Sequence, residues 1–581
     1  MSIDIETYRL KAQEAIEYVF VKEYHNSLGI PMPIVKILLP DDANYSTGQY
    51  YITIDKTWQI HLNFGKLPIS YHEFQNEVKV LTRHEIEHYM CCPFDIITHF
   101  RMLKRIKDVY YKHFSHLGIN IKYACGAISN QAADIIVDTK NYYRHSKETL
   151  KSEIDWIKIG ANISACPRHC KLMFLTKEAI WKEDLGINET DPEFLKIVHQ
   201  LADSFTKNGI EDKSSFLDKV EEYAEIFFKL YVEDQKNPQQ SGQQGSQQQS
   251  GQQGSQQQSG QQGPQQQSGQ QGSQQQSGQW GVGRPKDGDE HGNAFVFADP
   301  DKVKEAIEVL AEETSVEEFI DLLAIAGIIG MSDKQKGVLW FNVQSANIIP
   351  IVEFSNTGNK SSYTYPSVWR IGDPIEELDL MLTYMTSPRL IPGMTTKKWE
   401  YVSNDDNGTE SKQMDLLLVV DTSGSMGSAM KESANMHQAV LASYGILSYF
   451  ESTKSKVAFI GFSDKIDAYV DWSDKYDDVR ERLLTNGHGG TKFPISRIKS
   501  TLDVRSRDLV TVLITDGDLG NINESVSYFR DYLNDDNKLY IFLLVGSKSL
   551  HSYEPLKNIG AKIYNANNAN EFCDMVLTDM E

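Results

Sequence analysis

Two histidines four residues apart, His84 and His88, stand in the stretch LTRHEIEHYM, with Glu85 directly after the first. On a helix, positions i and i+4 share a face, so both imidazoles can reach a single metal ion. Neutral imidazoles suit Zn2+, which is tetrahedral and, with three protein ligands, keeps one corner for water. The metal brings the pKa of that water toward neutrality, and a carboxylate placed like Glu85 can take its proton. A third ligand is then required. The best candidate lies in SNQAADIIVDTKNYY, where Asp134 and Asp138 stand four apart on another stretch of helical pattern.

A second set of donors lies near the C-terminus. MDLLLVVDTSGSMGSAM is an apolar run ending in Asp421, followed by Ser423 and Ser425; GGTKF holds Thr491, and DLVTVLITDGD leads to Asp516. Hydroxyls and carboxylates are hard oxygen donors, suited to octahedral Mg2+.

The elements that must position these groups follow from pattern. YHEFQNEVKVLTRHEIEHYM places Phe74, Val78, Leu81 and Ile86 on or near one helical stripe, so the histidines fall on a helix. YYITIDKTWQIHLNF, rich in β-branched and aromatic residues, predicts a hairpin within an otherwise helical region, 1–235. The C-terminal region, 411–581, alternates continuous apolar strands with helical patterns, which predicts a doubly wound α/β parallel sheet covered on both faces. Ligands bind beyond the carboxyl ends of such strands, so Asp421 and Asp516 are expected to share a site. Between the two regions, residues 236–292 cycle through QSGQQGSQQ in nine-residue steps, with serines at 241, 250, 259, 268 and 277. No position of that repeat is apolar, so it reads as a disordered linker; Pro238 to Asp287, taken as a Gly-rich coil, has a span of roughly 35–42 Å. Residues 293–406 read as helical, with Asp299-Pro300 opening a helix and Ser315 and Glu318 in capping-box positions.

Composition excludes several functions. The net charge of -22 opposes nucleic-acid or anionic-membrane binding. No run of about 18 apolar residues offers a membrane span, and the N-terminus lacks a basic segment followed by an apolar core. Cys91, Cys92, Cys125, Cys166, Cys170 and Cys573 are too few for a disulfide framework. Cys91-Cys92 and CPRHC read as buried thiols, since neither has a second Cys/His pair at finger-like spacing. The chain reads as a cytoplasmic protein.

HEIEH followed by Asp134 and Asp138 resembles the zincin metallopeptidases of the gluzincin branch. There, a downstream helix supplies a glutamate ligand, followed four residues later by an aspartate that orients the first histidine. Asn130, Asp134 and Asp138 match that arrangement, with an aspartate in place of the ligand glutamate. The resemblance implies His84, His88 and Asp134 as zinc ligands, Glu85 as catalytic base and Asp138 behind His84. Asp421, Ser423, Ser425, Thr491 and Asp516 match the DxSxS…T…D pattern, and the region resembles a von Willebrand factor A domain with a metal-ion-dependent adhesion site. That implies Mg2+ or Mn2+ held by the hydroxyls and aspartates, with one position open to an acidic residue of a protein partner. SVWRIGDPIEELDLMLTYMTSPRLIPGMTTKKW, including Trp369 and Asp373, resembles the segment preceding the A domain in proteins that work with MoxR-type AAA+ ATPases. The chain has no GxxxxGK[ST] motif, so any ATPase is a separate protein.

The combined expectation is a zinc metallopeptidase domain tethered to a Mg2+-dependent protein-capturing module. The alternative is a non-catalytic adaptor that delivers clients to such an ATPase, with an inactive zincin-like domain.

Overall fold

The computed structural model describes residues 5–236, 300–348, 362–369, 397–402 and 414–566, apart from short breaks within them. The repeat tract, Asp299, Asp373 and Cys573 lie outside the described residues. The chain divides into two compact units, Met1–Glu313 with Asp321–Gly330, and Thr314–Ile320 with Met331–Glu581.

The first unit is mainly helical. Helix α1 (Ile5–Glu17) precedes three strands, β1 (Ile34–Leu38), β2 (Tyr50–Ile54) and β3 (Gln59–Phe64), in the order β1-β3-β2. β2 and β3 pair antiparallel, as the β-branched pattern predicts; β1 adds a parallel edge that the sequence reading lacks. Then come α2 (Tyr71–Met90), α3 (Ile96–Val109), α4 (Ile121–Ile159), α5 (Arg168–Trp181), α6 (Pro192–Thr206), α7 (Phe216–Lys236) and α8 (Pro300–Glu313). Ser70 caps α2 by accepting the Glu73 N–H, and the predicted stripe of Phe74, Val78, Leu81 and Ile86 is buried against Ile60, Leu62, Ala12 and Ile16. Each such side chain contributes about 1.5–3 kcal/mol on burial. Helix α4 packs against α2 and breaks its helical dihedrals at His145 (φ -136°, ψ 48°), beyond Asn130, Asp134 and Asp138.

In the second unit, helix α9 (Val316–Ile325) begins at Ser315, whose hydroxyl accepts the Glu318 N–H at 3.2 Å; residues 321–325 of this helix group with the first unit. Helix α10 (Asp333–Ile348) follows. The region expected to be helical also contains an antiparallel pair, β4 (Ser362–Val368) and β5 (Lys397–Val402).

Six further strands form one sheet: β6 (Asp415–Asp421), β7 (Val457–Phe462), β8 (Ile466–Ser473), β9 (Leu509–Thr515), β10 (Lys538–Leu544) and β11 (Lys562–Ala566), in the order β11-β10-β9-β6-β7-β8. Five run parallel, but β8 is antiparallel to β7, so the sheet is mixed. The reason is local: Ser463 accepts no crossover, its N–H reaching Lys465 O at 2.9 Å in a turn too short to carry a helix. Every residue of β6 is buried; Leu417 and Val419 join the cluster containing Ile498, Leu502 and Phe529, so Leu416, Leu418 and Val420 fill the opposite face. Helices α11 (Asn435–Ser452), α12 (Tyr476–Leu483), α13 (Ile495–Leu502) and α14 (Val526–Asn534) intervene between strands. Trp340 and Phe341 of α10 stack against His437 of α11, with centroids 5.3 and 5.2 Å away.

Candidate metal centres

His84 and His88 lie on the last two turns of α2, with Asp134 on the facing turn of α4. Their ligand atoms lie within 4.8 Å of one another. Nε2 of His84 is 3.1 Å from Nε2 of His88, and Asp134 Oδ1 is 3.5 and 3.2 Å from those two nitrogens. The opposite ring nitrogens are engaged elsewhere. His84 Nδ1 is 2.7 Å from Asp138 Oδ1, and His88 Nδ1 is 2.8 Å from the carbonyl of Cys92. Both acceptors suit a proton on Nδ1, so that in the neutral rings both Nε2 atoms would turn lone pairs toward the same point.

A cation fits there. Asp134 Oδ1 is buried with no hydrogen-bond donor, while its Oδ2 accepts from Asn130 Nδ2 at 3.0 Å. Burial acts against a charged His88, yet Asp134 and Glu85 together raise it to about 9, so these carboxylates favour positive charge between them. Burial raises Asp134, but His88 and His84 outweigh it and hold the carboxyl below its ordinary range. Two imidazoles and a carboxylate make a borderline donor set suited to zinc. Glu85 Oε1 is buried and has no hydrogen-bond partner.

Asp138 forms a further layer. Its second oxygen accepts from Lys177 Nζ of α5 at 2.8 Å, and Lys177 also reaches Glu153 Oε1 at 2.6 Å. Burial raises Asp138, and Lys177 followed by His84 drives it well below the carboxylate range. The sequence reading placed Asp138 behind His84 and missed Lys177, Glu153 and the Cys92 carbonyl. A buried lysine 39 residues downstream carries no local spacing signal. Cys91 and Cys92 are buried under the end of α2 as expected; in CPRHC, Cys170 is buried and His169 is tied to Asp234 at 2.8 Å.

In the second unit, Asp421 ends β6 and Asp516 follows β9, its neighbour in the sheet. Asp421 Oδ1 accepts from the Ser423 N–H at 2.8 Å, and Oδ2 accepts from Thr515 Oγ1 at 2.7 Å. Ser425 Oγ lies 3.2 Å from Ser423 Oγ and donates to Asp516 Oδ1 at 3.0 Å. Asn435, first residue of α11, donates to Asp516 Oδ2 at 2.9 Å. Four of the five predicted donors are thus one hydrogen-bonded group. Thr491 lies on the adjoining loop, whose Gly489 carbonyl accepts the Gly424 N–H at 3.3 Å. Gly487 of that loop is obligatory: a Cβ there would stand 2.5 Å from the Thr422 carbonyl. Burial raises the pKa of Asp421, and Asp516 raises it further, against the Thr515 and Ser423 hydrogen bonds. Two crowded carboxylates with two hydroxyls fit a hard divalent cation. Thr515 and Asn435 were missed because their types are common and their proximity arises only from the sheet order.

No helix among the described residues is long and apolar enough to cross a membrane. No protein-family profile matches the sequence, and no curated protein is significantly similar to it. Among solved structures, the chain is similar to a conserved hypothetical protein, BatB, from Bacteroides thetaiotaomicron, at 11% identity over 29% of this chain and 97% of that one, with a TM-score of 0.25. It is also similar to an uncharacterized membrane spanning protein from Vibrio fischeri, at 18% identity over 28% of this chain and 96% of that one, with a TM-score of 0.13. Neither likeness is close enough to bear on fold or function.

Proposed function

We propose that the first unit is a zinc-dependent peptide hydrolase and that the second is a Mg2+-dependent module that captures its protein substrate or partner. The observation that supports the hydrolase best is the convergence of three lone pairs, from His84, His88 and Asp134, with both imidazole N–H groups turned away. Zinc, when bound, supplies a Lewis acid and an acidified water. Asp138 and the Cys92 carbonyl hold the ring tautomers, Asn130 turns Asp134, and Glu85 accepts and returns a proton. At the second unit, Asp421, Ser423, Ser425, Thr491 and Asp516 hold Mg2+ or Mn2+, leaving a position for an acidic side chain. The partner class implied by the sequence resemblance is a MoxR-type AAA+ ATPase.

A second reading, a non-catalytic adaptor with a structural zinc, is favoured by burial. His84, Glu85 and His88 are only 5%, 4% and 2% exposed, which leaves a peptide little access.

Metal analysis of the full chain, paired with a general peptide-hydrolysis assay, tests both. Wild type should carry about one zinc per chain; His84→Ala should lose it, and Glu85→Gln should keep it while losing hydrolysis. Zinc retained in the His84→Ala/His88→Ala variant sinks the site. Zinc in wild type with no hydrolysis of any substrate selects the adaptor.

A further inference from the structure

The ammonium of Lys177 is the one positive charge hydrogen-bonded to Asp138 among the described residues. Its side chain is 2% exposed, and it bridges Asp138 Oδ2 at 2.8 Å and Glu153 Oε1 at 2.6 Å. Its nitrogen also lies over the rings of Phe174 and Trp181, 5.4 and 6.0 Å from their centroids. Burial alone would lower its pKa; Asp138 and Glu153 reverse that, so it stays charged.

The position matters because Asp138 is the acceptor for His84 Nδ1. A cation on the far oxygen holds the Asp138 carboxylate in place, so that its near oxygen stays on His84 Nδ1 and the ring keeps Nε2 toward the centre. Without that cation the carboxylate would be free to turn away, and His84 would lose the partner that orients it.

We propose that Lys177 is a positioning residue for the metal centre, acting through Asp138 on His84. This inference rests on the zinc reading above. Ion pairs of this kind also serve structure alone, in which case Lys177 would matter to folding and not to the metal.

The test is zinc affinity of the full chain, by competition with a chromophoric chelator in excess Mg2+, across pH 6 to 8. In Lys177→Met we expect zinc affinity to fall roughly 10- to 100-fold, the usual cost of losing an outer-layer partner. Lys177→Arg should keep affinity within about threefold, since it keeps the charge. Lys177→Gln, which keeps N–H donors without charge, should behave like Lys177→Met and serves where the methionine variant does not fold. Wild-type affinity in a folded neutral variant overturns the role of Lys177 while leaving the zinc site standing. Failure of wild type to bind zinc at all overturns the underlying reading instead.

Discussion

The hydroxyl of Ser425 donates to Asp516 Oδ1 at 3.0 Å, joining residues 91 positions apart at the carboxyl ends of neighbouring strands. That bond closes the group of donors around Asp421, and it is a bond a divalent cation would replace. Mg2+ or Mn2+ should therefore stabilise this unit by roughly 2.7 kcal/mol at a hundred times its Kd. A thermal melt with and without EDTA measures it, and Ser425→Ala should reduce the difference. Equal melting temperatures in Mg2+ and EDTA would exclude a specific site.

Partner capture should follow the same metal. Asp421 ends a strand, yet it is fully buried and accepts from both Thr515 and Ser423. The alanine variant should therefore cost about 1–3 kcal/mol by orphaning those donors. Thr491→Ala, on the loop, is the milder probe. Recovery of the same partner from extract by wild type and Thr491→Ala, in Mg2+ and in EDTA alike, argues against metal-mediated docking.

Asn130→Ala should lower zinc affinity roughly tenfold, because Asp134 loses the donor that fixes its outer oxygen. Chelator competition reads this directly. An unchanged affinity means that helix packing alone orients Asp134.

Glu77 gives a pH signature. Burial, against the Tyr50 hydroxyl hydrogen bond, pushes its pKa up to about 7. A carboxyl raised on folding stabilises the protein below its unfolded pKa, and the benefit is lost as pH rises through 7. Glu77→Gln should therefore gain stability over wild type at pH 8, on the order of 1–3 kcal/mol, and little at pH 4. Urea titrations of the first unit's transition at both pH values would show it; an equal difference at each sinks the assignment.

Glu87 lies between the two ligand histidines in sequence but faces another way. It receives Lys140 Nζ at 2.8 Å, Arg144 at 2.9 Å and the Tyr24 hydroxyl at 2.9 Å. Glu87→Ala leaves buried Lys140 with Glu211, at 3.1 Å, as its remaining counter-ion and should cost about 1–3 kcal/mol. Zinc content at a temperature where the variant is folded should not change, and a loss of zinc would show that this clasp also shapes the centre.

The sequence made some of this legible and hid the rest for physical reasons. His84, His88, Asp134 and Asp138 are spaced by four on two helices, so local periodicity brings them to the right faces. β6, β9 and β10 are unbroken apolar runs, and a doubly covered sheet follows from them. β8 is a half-exposed edge, IDAYVDWS, whose direction depends on a three-residue turn. β1 and β11 are short strands with weak pattern. Lys177 is invisible locally, since lysine on a helix ordinarily reads as solvated. The burial of Asp421 goes with its hydrogen bond from Thr515, at the end of the neighbouring strand β9, which only the sheet order brings beside it.

Asp138 and the Cys92 carbonyl fix the two imidazole tautomers without any help from an ion. The vacated centre should therefore keep its shape, with the clasp of Glu87, Lys140 and Arg144 still holding the same two helices together. Zinc could leave and return with no rebuilding of the fold. On the zinc reading proposed above, occupancy would then follow the free zinc of the surroundings.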